Sequence, residues 1–158
     1  MKKAFFVYLL VLIVLSSCDP NKIYHKNKRL SPNIEWLRSK KVEFNPSIVD
    51  TAVAYDVYFS FRHHTYYPHD ALKIKVTKIN PSGSKSSKDY TLILRDGGTF
   101  KSKGAGDYWD YMELVEDNFL FEESGQYTYI VEHDMDVDPL THVFDFGLII
   151  KRDPIEKN

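Results

Sequence analysis

The stretch "AYDVYFSFR" (Ala54–Arg62) decides the fold class. Tyr55, Val57, Phe59 and Phe61 fall on one side of an extended chain, and Asp56, Tyr58, Ser60 and Arg62 on the other. Strict alternation of this kind belongs to a half-buried β-strand, because successive side chains point to opposite faces. "LKIKVTK" (Leu72–Lys78) repeats it, with Leu72, Ile74 and Val76 inward and Lys73, Lys75 and Thr77 outward. "NPSGSKSSKD" (Asn80–Asp89) has turn composition, and "YTLILR" (Tyr90–Arg95) returns as a strand, so the pair is expected to form a hairpin with a long tip.

Further strands are expected near "YWDYMELV" (Tyr108–Val115), "QYTYIVEH" (Gln126–His133) and "VFDFGLIIK" (Val143–Lys151). The glycine-rich "RDGGTFKSKGAGD" (Arg95–Asp107) between them is expected to be a flexible loop. Six to eight strands without a helical stripe describe an all-β chain, a β-sandwich over residues 42–152. The 11 Tyr, 10 Phe and 2 Trp belong mostly to its core. "EESGQYTYIV" (Glu122–Val131) resembles the corner entering a strand of immunoglobulin-like domains, where a Tyr hydroxyl bonds back to upstream backbone. Tyr127 is placed to be that residue. Immunoglobulin-like and jelly-roll strand orders both remain open at this level.

The N-terminus obeys other rules. Lys2 and Lys3 precede the unbroken apolar run "AFFVYLLVLIVL" (Ala4–Leu15), too short to cross a hydrocarbon core of about 30 Å as a helix but suited to a signal peptide. Leu15, Ser16, Ser17 and Cys18 then resemble a bacterial lipobox, and Cys18 is the only cysteine in the chain. A lone thiol has no internal disulfide partner, so Cys18 is expected to carry the lipid, with palmitate-type acyl chains. Two or three such chains anchor a protein essentially permanently. The expected organisation is a signal peptide over 1–17, a lipidated basic tether over 18–41, the sandwich, and a tail over 153–158. In the tether, residues 19–41 hold seven Lys/Arg against Asp19 and Glu35; Trp36 is expected to dock on the domain edge.

Removing residues 1–17 takes Lys2 and Lys3 from the 21 Lys/Arg, leaving 19 against 22 Asp/Glu. A slightly acidic balance is not a nucleic-acid footprint.

Three places invite a chemical reading. "FRHHTYYPHDAL" (Phe61–Leu72) holds His63, His64 and His69 beside Asp70. Adjacent His63 and His64 point to opposite faces of a strand, and a zinc site needs at least three convergent ligands. The stretch is therefore expected to be a joint between two strands, its histidines filling the solvent side. Asp134, Asp136, Asp138 and Asp145 match positions 1, 3, 5 and 12 of a calcium loop, but Pro139 stands where Gly is needed and Asp145 where Glu is usual. The glycines of 95–107 lack the helix start a phosphate cradle requires. Neither a Gly-x-Ser-x-Gly elbow nor a spaced carboxylate pair is legible among Asp56, Glu113 and Glu132. No cofactor, no metal and no catalytic residue are expected, and the chain is expected not to be an enzyme.

The lipobox, Trp36, Phe44, Asp50, "YDVYFSFR", "YYPHDAL", Leu94, Asp96, Gly98, Gly104, Gly106 with Asp107, "FEESGQY", Met135, "DPL" and "DFGLIIK" together resemble the gliding-motility lipoproteins of the GldH family, over about residues 24–152. The chain departs from that pattern at Asp136, where members usually carry Arg, and at "GTFKSKGAG", where they often have Trp-Gly. The resemblance implies a lipid-anchored envelope protein on the outer membrane or the periplasmic face. It would support gliding and the associated secretion machinery by protein–protein contact. The alternative is a carbohydrate-binding envelope lipoprotein, in which Tyr66, Tyr67, Tyr108, Trp109 and Tyr111 would stack on a glycan.

Overall fold

The computed structural model describes residues 21–153, which contain strands and turns and no helix. Eight strands, with the short β10 (Lys103–Ala105) added at one edge, build two facing sheets: β1 (Lys22–Arg29), β3 (Val42–Phe44), β5 (Tyr55–His64), β6 (Ala71–Ile79), β7 (Lys85–Ile93), β11 (Tyr108–Phe119), β13 (Thr128–His133) and β15 (Val143–Arg152). Seven two- or three-residue strands trim the ends: β2 (Glu35–Trp36), β4 (Ser47–Ile48), β8 (Arg95–Asp96), β9 (Thr99–Phe100), β10 (Lys103–Ala105), β12 (Gly125–Gln126) and β14 (Leu140–Thr141). The five-stranded sheet runs β1-β15-β5-β11-β10, and the four-stranded sheet runs β3-β13-β6-β7.

This order selects between the two topologies left open above. The chain is a long antiparallel ribbon closed at the β6–β7 turn: β6 pairs with β7, β5 with β11, β3 with β13 and β1 with β15. Rolling the ribbon brings β15 onto β5 and β13 onto β6, so successive rungs alternate between sheets. That is a jelly roll. The corner chemistry seen in the sequence is nonetheless present. The Tyr127 hydroxyl donates to the Glu123 carbonyl at 3.0 Å and accepts the Glu123 N–H at 3.1 Å. The corner stabilises a turn and does not dictate strand order. Tyr127→Phe is expected to cost about 1–2 kcal/mol. Tyr129, whose buried hydroxyl has no partner, is expected to tolerate Phe at no cost or with a gain of up to about 1 kcal/mol. Urea unfolding of the two single variants checks the contrast.

The core is the sum of the inward halves of the alternating strands. Tyr55, Val57, Phe59 and Phe61 of β5 face Leu72, Ile74 and Val76 of β6, all buried. Phe59 sits edge-on to Tyr90, centroids 5.2 Å apart, and 5.5 Å from Phe146.

Four expectations need correction. First, the basic stretch is not a tether: residues 22–29 are an edge strand paired along β15, and Leu30 and Trp36 are fully buried. The lysines hide the strand because an edge carries charge on both of its faces. Second, Trp36 lies in the core, 5.7 Å from Phe146, with its indole N–H donating to the Lys40 carbonyl at 2.8 Å. Third, the hairpin tip is short: Lys85 already pairs with Ile79, and Ser86–Asp89 continue β7. The Ser/Lys composition marks an exposed edge strand, and only residues 80–84 turn the chain. Fourth, the glycine segment forms ordered hairpins. Gly97 and Gly98 take φ of 56° and 81°, the left-handed pair that a two-residue hairpin requires, and β8 and β9 pair across them.

Candidate functional site on the outer face of the five-stranded sheet

The outward halves of β5 and β15 come together on the exposed side of the larger sheet. Asp145 lies opposite Arg62, Gly147 opposite Ser60, Ile149 opposite Tyr58 and Lys151 opposite Asp56. The flanking strands extend these rows. One crosses all five strands with alternating charge, as Arg29, Asp145, Arg62, Asp110 and Lys103 are successive register partners. Opposite charges directly across a ladder attract, so each step favours this register. At its centre Arg62 grips Asp110 with both arms of the guanidinium, Nε to Oδ1 at 2.6 Å and Nη2 to Oδ2 at 2.8 Å. The bond from Arg62 holds the Asp110 carboxyl below its ordinary range, and the same bond raises the guanidinium. Both side chains are about half exposed, so the pair adds directionality rather than much stability.

The next row is Asn27, Gly147, Ser60 and Met112. The Ser60 hydroxyl donates to Asn27 Oδ1 at 3.1 Å across the top of Gly147. A Cβ on Gly147 would collide with that oxygen and with Ser60 Oγ. Glycine thus leaves the floor of a depression of about 350 Å³, lined by His25, Asn27, Ser60, Arg62, Met112 and Ile149. On its far side Met112 and Leu114 are 55% and 42% exposed, an apolar stripe on a surface otherwise studded with charge.

An aromatic rim closes the upper end. Tyr108 lies 4.9 Å from Phe144, His64 lies 5.0 Å from Tyr66, and Tyr66 is 71% exposed. A second hollow of about 410 Å³ joins this rim to Arg29, Arg62, Asp110 and Asp145. The face can grip a partner with a row of directional charges, a dimple and a hydrophobic flank.

The other residues singled out in the sequence are dispersed. His63 and His64 do take opposite faces, but His63 is fully buried, stacked 5.6 Å from Phe61. It is core and not solvent-side filling, because β5 continues its inward period to the last turn. His69 packs against Tyr67, 5.5 Å away. Asp138 accepts from the Arg38 backbone N–H at 2.9 Å, whereas Asp145 belongs to the charge row, so the calcium-loop positions do not converge. Among the described residues no group of three or more His, Cys, Asp or Glu is placed to hold a metal ion. Of the five residues proposed for glycan stacking, Tyr67 and Tyr111 are buried, and the Trp109 indole N–H is engaged by Thr65 Oγ1 at 3.0 Å. Tyr66 and Tyr108 keep free faces. Cys18 with Leu15, Ser16 and Ser17 lies outside the described residues. Asp110, Met112, Asn27 and Arg29 went unnoticed in the sequence, since only the register of β11 and β1 on their neighbours gives them a place.

Comparison with known proteins gives the context of this face. A 27% identical relative from Christiangramia forsetii, a gliding motility lipoprotein GldH homolog, aligns over 163 residues, 96% of this chain and 98% of its own. The gliding motility lipoprotein GldH of Flavobacterium johnsoniae is 29% identical over 93 residues, 58% of this chain and 57% of its own. Among solved structures, TmCBM61 in complex with beta-1,4-galactotriose shares 13% identity over 82% of this chain and 71% of its own. Its TM-score of 0.31 is too low to bear on fold or ligand. The family model for the GldH lipoprotein matches residues 22–150, from the first residue of β1 almost to the end of β15. The chain belongs to the GldH lipoprotein family.

Proposed function

We propose that the chain is a lipid-anchored envelope protein supporting gliding motility and the associated protein-secretion machinery. It acts by protein–protein contact rather than catalysis, through the outer face of the five-stranded sheet. Family membership supplies the setting. The observation that carries the contact surface is the five-strand charge row running beside exposed Met112 and Leu114. Alternating charges fix orientation and exclude wrong partners, while an apolar flank supplies desolvation energy. The anchor is Cys18, and the partners are other proteins of the motility and secretion apparatus.

The test is complementation of a gene deletion in the protein's own cells. Loss of surface spreading or of secretion is expected on deletion, with recovery on return of the wild-type chain. Arg62→Gln combined with Met112→Glu is expected to leave the protein at normal abundance in the membrane fraction yet restore less than a tenth of spreading or secretion. Surface changes of this kind usually cost little stability. Full recovery with the double variant would exclude this face. Retention on a glycan panel in affinity electrophoresis, abolished by Tyr66→Ala with Tyr108→Ala, would move the assignment to carbohydrate binding at the aromatic rim.

A further inference from the structure

Only Asp19, Pro20 and Asn21 separate Cys18 from Lys22, the first residue of β1. An extended chain covers at most about 3.6 Å per residue, so a lipid on Cys18 keeps the start of β1 within about 14 Å of its attachment point. A rigid domain so close to its anchor must rest some part of its own surface on the bilayer.

β1 is the free edge of its sheet, paired only with β15, and β3 is the edge of the other sheet. The two edges share one flank. The Tyr24 hydroxyl accepts the Asn45 backbone N–H at 3.1 Å, and Lys28 Nζ lies 5.8 Å from the centre of the Phe44 ring. Lys26 and Lys28 stand opposite Leu148 and Phe146, two core residues. Their stems therefore run along the seam between the sheets and their ammonium groups emerge at the flank. Both are exposed, as is Arg29. Charge on an edge strand is a general defence against pairing with other chains. The edge strand β7 meets that need with Lys85 and Lys88 beside Asp89. β1 carries Lys22, Lys26, Lys28 and Arg29 with no carboxylate. An all-positive edge that begins beside a lipid is the complement of an anionic surface.

We infer that the β1 edge docks on anionic headgroups of the membrane that holds the anchor, through Lys22, Lys26, Lys28 and Arg29. The sandwich then lies on its β1–β3 flank. The inference rests on the lipid anchor taken above. The competing pose stands the domain on the end where Val49 and Leu120 are 80% and 58% exposed. That end also presents Asp50, Asp117, Glu122 and Asp153, which follow Val49, lie near the end of β11, lead into β12 and follow β15; set against Lys22, Lys151 and Arg152 at the same end, they leave it mixed in charge, without the all-positive surface of the β1 edge. Lying on the flank commits Arg29 to the headgroups, turns the opposite β10–β7 edge away from the bilayer, and leaves the rest of the charge row, from Asp145 to Lys103, open.

The experiment uses the lipidated protein in vesicles of phosphatidylethanolamine with phosphatidylglycerol, or of phosphatidylcholine alone, each containing a headgroup-labelled quencher lipid. Lipid occupies Cys18, so a single introduced cysteine takes a fluorophore uniquely: His25→Cys on β1, Val49→Cys at the end, or Ser86→Cys on β7. The label at 25 is expected to be quenched several-fold more than those at 49 and 86 in anionic vesicles. That difference should collapse in phosphatidylcholine or at high salt. Lys26→Glu and Lys28→Glu should each weaken docking at least about fivefold, the loss expected from one basic residue. Strongest quenching at 49, or quenching at 25 that ignores lipid charge and both reversals, overturns the edge docking while leaving the anchor intact. Failure of the wild-type protein to float with phosphatidylcholine vesicles overturns the anchor, and the edge docking with it.

Discussion

Trp36→Ala is expected to lower stability by about 3–5 kcal/mol, a large share of the roughly 5–15 kcal/mol that holds a domain of this size folded. The indole is fully buried between His133, 5.5 Å away, and Phe146, 5.7 Å away. Its strand β2 pairs with β14, Trp36 opposite Leu140. Truncation removes the transfer energy of the ring, leaves a cavity between residues held by two sheets, and orphans the Lys40 carbonyl that accepts its N–H. Urea unfolding should show a large fall in midpoint with an unchanged slope. If Trp36 belonged to a spacer, the midpoint would move by less than about 0.5 kcal/mol equivalent. The variant therefore tests directly whether the segment before residue 42 is part of the folded unit.

Acid is expected to destabilise the domain well before its carboxylates titrate. His63 and His133 are buried, and each has an Nε2 with no hydrogen-bond partner. Burial holds both below the ordinary histidine pKa. For His63, the bond to the His64 carbonyl raises it and the Arg95 charge lowers it, both more weakly. For His133, Asp138 raises it and Arg38 lowers it, again more weakly than burial. The unfolded chain takes up a proton at each site near pH 6.5 while the folded chain does not, so the unfolded state binds more protons. Stability is complete above about pH 6.5 and falls as the pH drops toward the folded values. Each unit of depression contributes about 1.36 kcal/mol to the total loss. Urea titrations between pH 8 and pH 5.5 should show the fall, and His63→Leu with His133→Leu should flatten it. Equal stability of the wild-type protein at pH 7.5 and pH 5.5 would refute the assignment.

Legibility in the sequence followed burial. On β5 and β6 the alternation is visible because one face meets a core and the other meets water, and every inward residue named from the pattern is buried. β1 and the first half of β7, Lys85–Asp89, are strand segments that the pattern did not reveal. As sheet edges they expose polar groups on both faces, so their composition imitates a spacer and a turn. The hairpins at 95–107 were hidden for a different reason. Their order comes from Gly97 and Gly98 in left-handed conformations and from Phe100 packing 4.4 Å from Trp109, neither of which composition distinguishes from a flexible loop.

The candidate face shows the same division. Arg62 and Asp145 stood out as parts of "YDVYFSFR" and "DFGLIIK", but as ends of motifs, 83 positions apart in the chain. Asp110 and Arg29 carried no signal at all.

By itself the sequence determined the all-β class, the inward halves of β5 and β6, the lipobox-like stretch that ends in the chain's only cysteine, and the family resemblance. Those features are written in short windows, by a two-residue period or by a contiguous motif. The jelly-roll order, the edge position of β1, the burial of Trp36 and the row from Arg29 to Lys103 were decided only by the tertiary structure. Each depends on which strands become neighbours and in what register, a choice made by the fit of distant apolar faces to one another.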